Sequence, residues 1–510
     1  MSNLNGNSAI HFVERHRVRL KDKPAFVEGH EGGAILTYGA LADQSDRMAH
    51  LYERNGIRRE DRAAMLVLDC VDFPVIFWGS LKAGVIPIPL NTMLTTDVYD
   101  VILKDSRARI LFVSEALLPV VQSTLAGNSF LEKVIVVGNG GDYADFAGEL
   151  SLCEPRRMVE ASQDENAFWL YSSGSTGQPK GVRHVHSALQ ATADTYGAQV
   201  LGIEESDVIL SAAKLFFAYG LGNGMTFPMS AGATAILHAA RPTPDAMFEL
   251  FARHKPTIFC GVPTLYAAMV AAMKGQKPKG SQAIRRSISA GEALPEEVGK
   301  GWKAVIGTDI LDGVGSTEML HIFLSNAPGD VEYGTSGVAV PGYELRLVDE
   351  LGDEVAPGGI GELLVHGPSA ADNYWNQRHK SRVTFEGQWT RTGDKYEKRA
   401  DGRLVYCGRT DDMFKVSGIW VSPFEVEQAL ISHPSVLEAA VVARRDADDL
   451  EKPAAFVVLK DGASAEGLVD VLKDLVKEKI GTWKYPRWVE VVDELPKTAT
   501  GKIQRFKLRG

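Results

Sequence analysis

The run YSSGSTGQPKG at 171–181 follows the apolar stretch AFWL, and its residue types suit a polyphosphate. Ser172, Ser173, Ser175 and Thr176 offer hydroxyls, while Gly174 and Gly177 let the backbone N–H groups turn inward and approach an anion closely. Lys180 supplies positive charge, and Thr176 can reach a phosphate or a metal. The run is not a Walker A loop, because the GK[ST] ending is missing. A plain Ser/Gly surface loop is the alternative, and the closing Lys-Gly argues against it. His184 and His186 have the HxH spacing of metal ligands, but no carboxylate or third ligand accompanies them, so no metal is expected there.

Further motifs follow in order along the chain. They are SAGEA (289–293), DGVGSTE (312–318), GEL (361–363), YWN (374–376), TGD (392–394), GRTD (408–411) and PKTATGK (496–502). With the Gly-rich run, this set resembles the adenylate-forming superfamily, which includes acyl-CoA synthetases, peptide-synthetase adenylation domains and firefly luciferases. Within it, Ala218-Tyr219 stands where many relatives carry a His, and Val314 where an aromatic is common. Those departures, with GSTEMLHIFLSN (315–326) and KVSGIWVSPFEVE (415–427), are similar to the benzoate-CoA ligase group.

The resemblance implies a role for each matching residue. Glu318, beside Thr317, would hold Mg²⁺, a hard cation that prefers carboxylate and phosphate oxygens, with Thr176 as a further ligand. Asp394 would accept hydrogen bonds from the ribose hydroxyls, and Arg409 would reach the ribose or phosphate as a charged donor. Asp312 and Gly313, with Gly291, Glu292 and Ala293, would face the adenine. Lys502 would relieve charge repulsion as a carboxylate attacks the α-phosphate. For thioester formation, a small C-terminal domain would swing about Asp411 and bring Lys415, Ser417 and Gly418 inward, with Gly418 leaving room for the pantetheine arm.

Ala218, Tyr219, Gly315, His321 and Ile322 would line a short, flat, largely apolar slot for the acid. Tyr219 or His321 could serve a 4-hydroxyl or 2-amino group, so benzoate, a hydroxybenzoate and an aminobenzoate all stay open, with benzoate ranked first. The implied activity is an ATP-dependent aryl-CoA ligase. Its alternatives are a ligase for another small acid, an enzyme loading a carrier protein, and a non-catalytic relative. Glu318, Asp394, Arg409 and Lys502 together oppose the last.

These residues need a scaffold, and 510 residues, 45% of them hydrophobic, provide for two or more domains with real cores. RAAMLVLD (62–69), RILFVS (109–114) and KVIVVG (133–138) alternate with helical spacing such as 75–83, which predicts parallel α/β layers. The same rhythm returns at TAILH (234–238), PTIFCG (256–261) and RRSISAG (285–291). From Tyr343 onward the strands YELRLVDE, GELLVHG and GRLVYCGR alternate between Gly-rich turns, as in an antiparallel, barrel-like part. A lone TGD is more often an ordinary turn than a site, and its place after the strands YELRLVDE and GELLVHG is what raises it. The last 100 residues or so hold the strands LEAAVVARR and PAAFVVLK, an amphipathic helix over 465–480 and a basic tail. The expected fold class is therefore α/β. A large N-terminal domain of layered α/β subdomains and a small β-barrel-like part spans 1–410, and a small mobile α+β domain spans 411–510.

Four scattered cysteines, Cys70, Cys153, Cys260 and Cys407, exclude a disulfide framework and fit a reducing cytoplasm. A net charge of −10 argues against a general nucleic-acid binder. No signal peptide is expected at the N-terminus, and Asp72, Pro74, Lys82, Pro87 and Pro89 break up the longest apolar stretch, so no membrane span is expected. The expected partners are ATP, coenzyme A and a small aromatic carboxylate, and the chain leaves room for a homodimer.

Overall fold

A computed structural model describes residues 6–173, 179–410, 412–416, 419–447, 450–460, 462–497 and 503–509. The first layer is a parallel sheet in the order Ile86–Pro89, Arg62–Leu66, Ile110–Ser114, Lys133–Val137, Ala144–Asp145. Every residue of Ile110–Ser114 is buried, as expected for a strand covered on both faces.

The second layer is a nine-stranded sheet. At its centre Ile310–Gly315, Arg286–Ala290, Ile258–Gly261, Val208–Ser211, Thr234–Leu237 and Pro24–Glu28 run parallel, and antiparallel strands close both ends. Helix Asp72–Ala83 is buried along nearly its whole length and lies between the layers. Phe77 packs edge-on to Phe168, and Trp78 stacks on Phe12 and donates to Met229 Sδ. Lys82 on the same helix is buried with two carboxylates, Glu14 at 2.5 Å and Asp46 at 2.7 Å, which keep its charge satisfied.

A third piece is the hairpin Asn166–Ser173 and Pro179–Val185, to which Asn373–Tyr374 adds a short antiparallel strand. The expected antiparallel part follows as Glu344–Val348, Ile360–His366, Trp389–Lys398 and Leu404–Arg409. Here the structure departs from local expectation. Thr392-Gly-Asp394 lies inside the ten-residue strand Trp389–Lys398, where the pairing to Ile360–His366 shifts register between Arg391 and Lys395 and Gly393 takes a left-handed φ of 72°, so the turn preference of the glycine is used within a strand irregularity.

The C-terminal region packs Pro423–Ile431 and Leu468–Ile480 on the ladder Val436–Arg445 with Glu451–Leu459. Val426, Leu430, Val441, Leu472 and Val476 form a core of their own. The amphipathic helix starts at Leu468 rather than 465, because Gly467 sits in the left-handed region (φ 71°) just before it. The chain is thus a large α/β body carrying an antiparallel part, followed by a small α+β region. No helix among the described residues is long and apolar enough to cross a membrane.

Candidate active site

In the second sheet the chain leaves Val208–Ser211 toward Thr234–Leu237 on one side, then crosses to Ile258–Gly261 on the other. Such a reversal opens a crevice at the carboxyl ends of the strands, the usual ligand position in open α/β sheets. Beyond Ser211 the chain enters a helical run, Ala218–Leu221, a π-helical Gly222–Thr226, then Phe227–Ala231. π-turns inside helices recur at functional sites.

Tyr219 lies in the first turn of that run. Its hydroxyl is 3.1 Å from the carbonyls of both Gly261 and Ile288, so its proton is spent on two neighbouring strands. Burial pushes the phenol well above its ordinary pKa. His321 stacks on Tyr219 at 5.7 Å and meets Phe227 edge-on at 4.5 Å. Its Nε2 lies 3.3 Å from the Tyr219 carbonyl, and burial lowers its pKa to about 3, so the ring is neutral. Gly222 passes behind it so closely that a Cβ there would lie 2.4 Å from His321 Cδ2. Ile322 is buried on strand Ile322–Ser325 against Gly313, Gly315 is exposed, and Ala218 and Val314 are half-buried. The structure therefore brings Tyr219, Gly315, His321 and Ile322 to one corner, with Ala218 next in chain.

Three residues before His321, Glu318 belongs to a second cluster. Its Oε1 accepts a 2.7 Å hydrogen bond from the Tyr374 hydroxyl and lies 3.4 Å from Lys180 Nζ. Lys180 also sits over the Tyr374 ring, 4.5 Å from its centre. Burial alone would raise the Glu318 carboxyl, but the Lys180 charge and the Tyr374 hydrogen bond leave it below its ordinary value. The hairpin positions this cluster: Lys180 pairs with Ser172, and Tyr374 pairs with Val182. The Thr317 carbonyl accepts from His184 Nε2 at 2.9 Å, while His184 stacks on Phe168 at 5.1 Å. His184 is thus a brace for the Thr317-Glu318 backbone, His186 bonds Ser8, and no metal-holding group of three or more His, Cys, Asp or Glu occurs among the described residues.

On the next strand pair, Asp312 lies opposite Ser289. It accepts a long 3.5 Å bond from the Leu294 N–H, Oδ1 has no partner among the described residues, and burial raises its pKa to about 8. Gly291, Glu292 and Ala293 leave the end of Arg286–Ala290, and Gly313 pairs with Ala290. Asp394 and Arg409 are register partners joined by a 3.0 Å ion pair, and Arg409 also donates to the Thr392 carbonyl at 2.9 Å.

Ser173 ends strand Asn166–Ser173, and Lys415 lies in strand Phe414–Val416. Gly174, Ser175, Thr176, Gly177, Asp411, Ser417, Gly418 and Lys502 lie outside the described residues. An isolated bridge pairs Lys497 with Ile503 on either side of 498–502. Tyr374 and His184 gained no site role from the sequence. Tyr374 stood inside the YWN motif, which was the available signal, but its contact with Glu318 joins positions 56 apart.

An AMP-binding enzyme family model matches residues 13–375, and the AMP-binding enzyme C-terminal domain matches 425–502. The chain is 54% identical over 476 residues to a benzoate-CoA ligase of Thauera aromatica, covering 93% of this chain and 90% of that one. It is 50% identical over 508 residues to a 4-hydroxybenzoate-CoA/benzoate-CoA ligase of Rhodopseudomonas palustris, covering 99% and 94%. A crystal structure of a benzoate CoA ligase from Burkholderia xenovorans superposes with a TM-score of 0.91 at 47% identity over 99% of both chains. With matches spanning nearly its whole length, the chain belongs to the AMP-binding enzyme family, in the benzoate-CoA ligase group of the adenylate-forming superfamily.

Proposed function

We infer that this protein is an ATP-dependent, AMP-forming aryl-CoA ligase, with benzoate as its first substrate. The observation that carries this reading is the juxtaposition within one short segment, Gly315 to Ile322. One end presents an aromatic corner of the buried, neutral His321 and the half-buried Tyr219, and the other presents the Lys180–Glu318–Tyr374 cluster. A flat apolar ring fits the first, and a polyphosphate with its cation fits the second. The ligase activities named for the similar proteins support the same assignment.

Glu318 fits Mg²⁺, since it is an ionised hard-oxygen donor whose present partners are a cation and a phenol. Thr176 would join it, and the ion would offset charge on the ATP phosphates. Lys180 holds phosphate oxygens, Asp394 takes the ribose hydroxyls, and Arg409 orients Asp394 while reaching toward the phosphate. The acid carboxylate attacks the α-phosphorus, forming the acyl–O–P bond and releasing pyrophosphate, with Lys502 relieving the repulsion of the two anions. The coenzyme A thiolate then attacks the acyl carbon, forming the thioester and releasing AMP. We place the domain boundary at 410/411, with Asp411 as the hinge that carries residues 411–510 between the two half-reactions. A cytoplasmic location, where ATP and coenzyme A are both at hand, goes with this activity.

The test is AMP release from a panel of aromatic and aliphatic acids, with and without coenzyme A. Benzoate should give coenzyme A-dependent turnover above the aliphatic acids. Turnover confined to aliphatic acids, or AMP release stimulated only by a carrier protein, overturns the reading.

Among ring substituents, we rank the unsubstituted acid first. The Tyr219 proton is committed to backbone carbonyls, so toward a 4-hydroxyl the phenol could act only as an acceptor. An apolar slot alone separates analogues differing by one hydroxyl by about 100-fold at most.

A further inference from the structure

The acid corner depends on a loop held from the other sheet. Residues 212–217 connect strand Val208–Ser211 to the helical run that starts at Ala218. The loop backbone lies directly against that run: a Cβ on Gly220 would be 2.0 Å from the Lys214 carbonyl oxygen. Phe217 N–H donates to the Lys214 carbonyl at 3.0 Å, and Leu221 N–H donates to the Phe217 carbonyl at 2.7 Å. Any movement of Lys214 and Leu215 therefore passes to Tyr219 through bonded and touching backbone.

Two grips fix those residues. Lys214 Nζ donates to the carbonyls of His238 and Ala240, past the end of Thr234–Leu237. On the opposite side, Asp69 follows strand Arg62–Leu66 of the first sheet, and its Oδ1 accepts the Leu215 N–H at 3.2 Å. Asp69 is buried, 6% exposed, and the Leu68 N–H beside it is tied to Ser114 Oγ at 3.0 Å. The Asp69 carboxylate is held away from water, where the Leu215 N–H and the charge of nearby Lys214 stabilise it.

We propose that Asp69 is a positioning residue for the acid slot: by holding the Leu215 N–H it sets the height of Ala218 and Tyr219 over the ends of the parallel strands. Asp69 touches no substrate. It acts through the loop, and it makes the first sheet a determinant of acid affinity. This inference rests on the assignment of that corner to the acid.

The test measures KM for benzoate and for ATP separately in the full-length enzyme, native, Asp69→Ala and Asp69→Asn. Losing a hydrogen bond to a charged group predicts about a tenfold rise in the benzoate KM for Asp69→Ala, with the ATP KM changed by less than about twofold. Asp69→Asn keeps an oxygen that can accept the Leu215 N–H, so it should recover most of that loss. Thermal melting of each variant separates the effect from unfolding. Equal rises in both KM values, or an unchanged benzoate KM in Asp69→Ala with native turnover, overturn the proposal. A native enzyme inactive with every aryl acid would instead defeat the functional reading, which is a separate outcome.

Discussion

The Tyr374 hydroxyl donates a 2.7 Å hydrogen bond to Glu318 Oε1 while its ring lies under the Lys180 ammonium. One side chain from the strand Asn373–Tyr374 thus holds the carboxylate and the cation in a fixed relation. Tyr374→Phe keeps the ring beneath Lys180 and removes only the hydrogen bond. Benzoate-dependent pyrophosphate exchange should fall about tenfold or more, as expected for a bond to a charged group, with little change in melting temperature. Exchange at the native rate would show that Glu318 needs no such support.

The two half-reactions should separate genetically. Lys502→Ala should abolish most acyl-AMP formation while thioesterification of supplied benzoyl-AMP survives, because only the first step brings two anions together. Loss of a preorganised charged group of this kind costs about 100- to 1,000-fold in rate. Asp411→Pro should give the converse, with pyrophosphate exchange retained and little benzoyl-CoA made, since proline restricts the backbone change a hinge requires. Equal losses in both half-reactions for Lys502→Ala would falsify the division of labour.

The glycine behind His321 gives a steric prediction. In Gly222→Ala the added methyl meets the imidazole at 2.4 Å, and Tyr196 and Phe227 already pack around that ring. Overpacking of this kind costs about 1–3 kcal/mol. We expect a lower melting temperature, and kcat/KM for benzoate reduced by more than the KM for ATP changes. Steady-state kinetics with each substrate varied in turn will decide it.

Asp312 predicts a pH dependence. Burial raises its carboxyl to about 8. The folded protein then keeps this proton where the unfolded chain has lost it, so the group's contribution to stability declines as pH rises from about 4 to about 8. Asp312→Asn removes the titration and keeps the shape. The melting temperature of the ligand-free variant should gain on the native protein steadily toward pH 8. A constant difference across that range would show that the carboxyl titrates normally.

Much of this molecule was legible in residue order, because its signals are local. A nest of Gly and hydroxyl residues needs only a few neighbours in chain, and runs such as ILFVS announce buried parallel strands by composition. Two local readings were altered by context: Thr392-Gly-Asp394 keeps its left-handed glycine but inside a strand, and the amphipathic helix begins later, past Gly467.

The sequence by itself determined the family, the layered fold and the residue types available at the site. Only the tertiary structure decided which of those residues meet. Tyr374 reaches Glu318, His184 reaches the Thr317 carbonyl, and Asp69 reaches Leu215 across separations of 56, 133 and 146 positions. The physical reason is that hydrogen bonds and ring contacts act over a few ångströms in space, whatever their spacing along the chain. Sheet order, set by the burial of whole strands, is what brings those distant positions within reach.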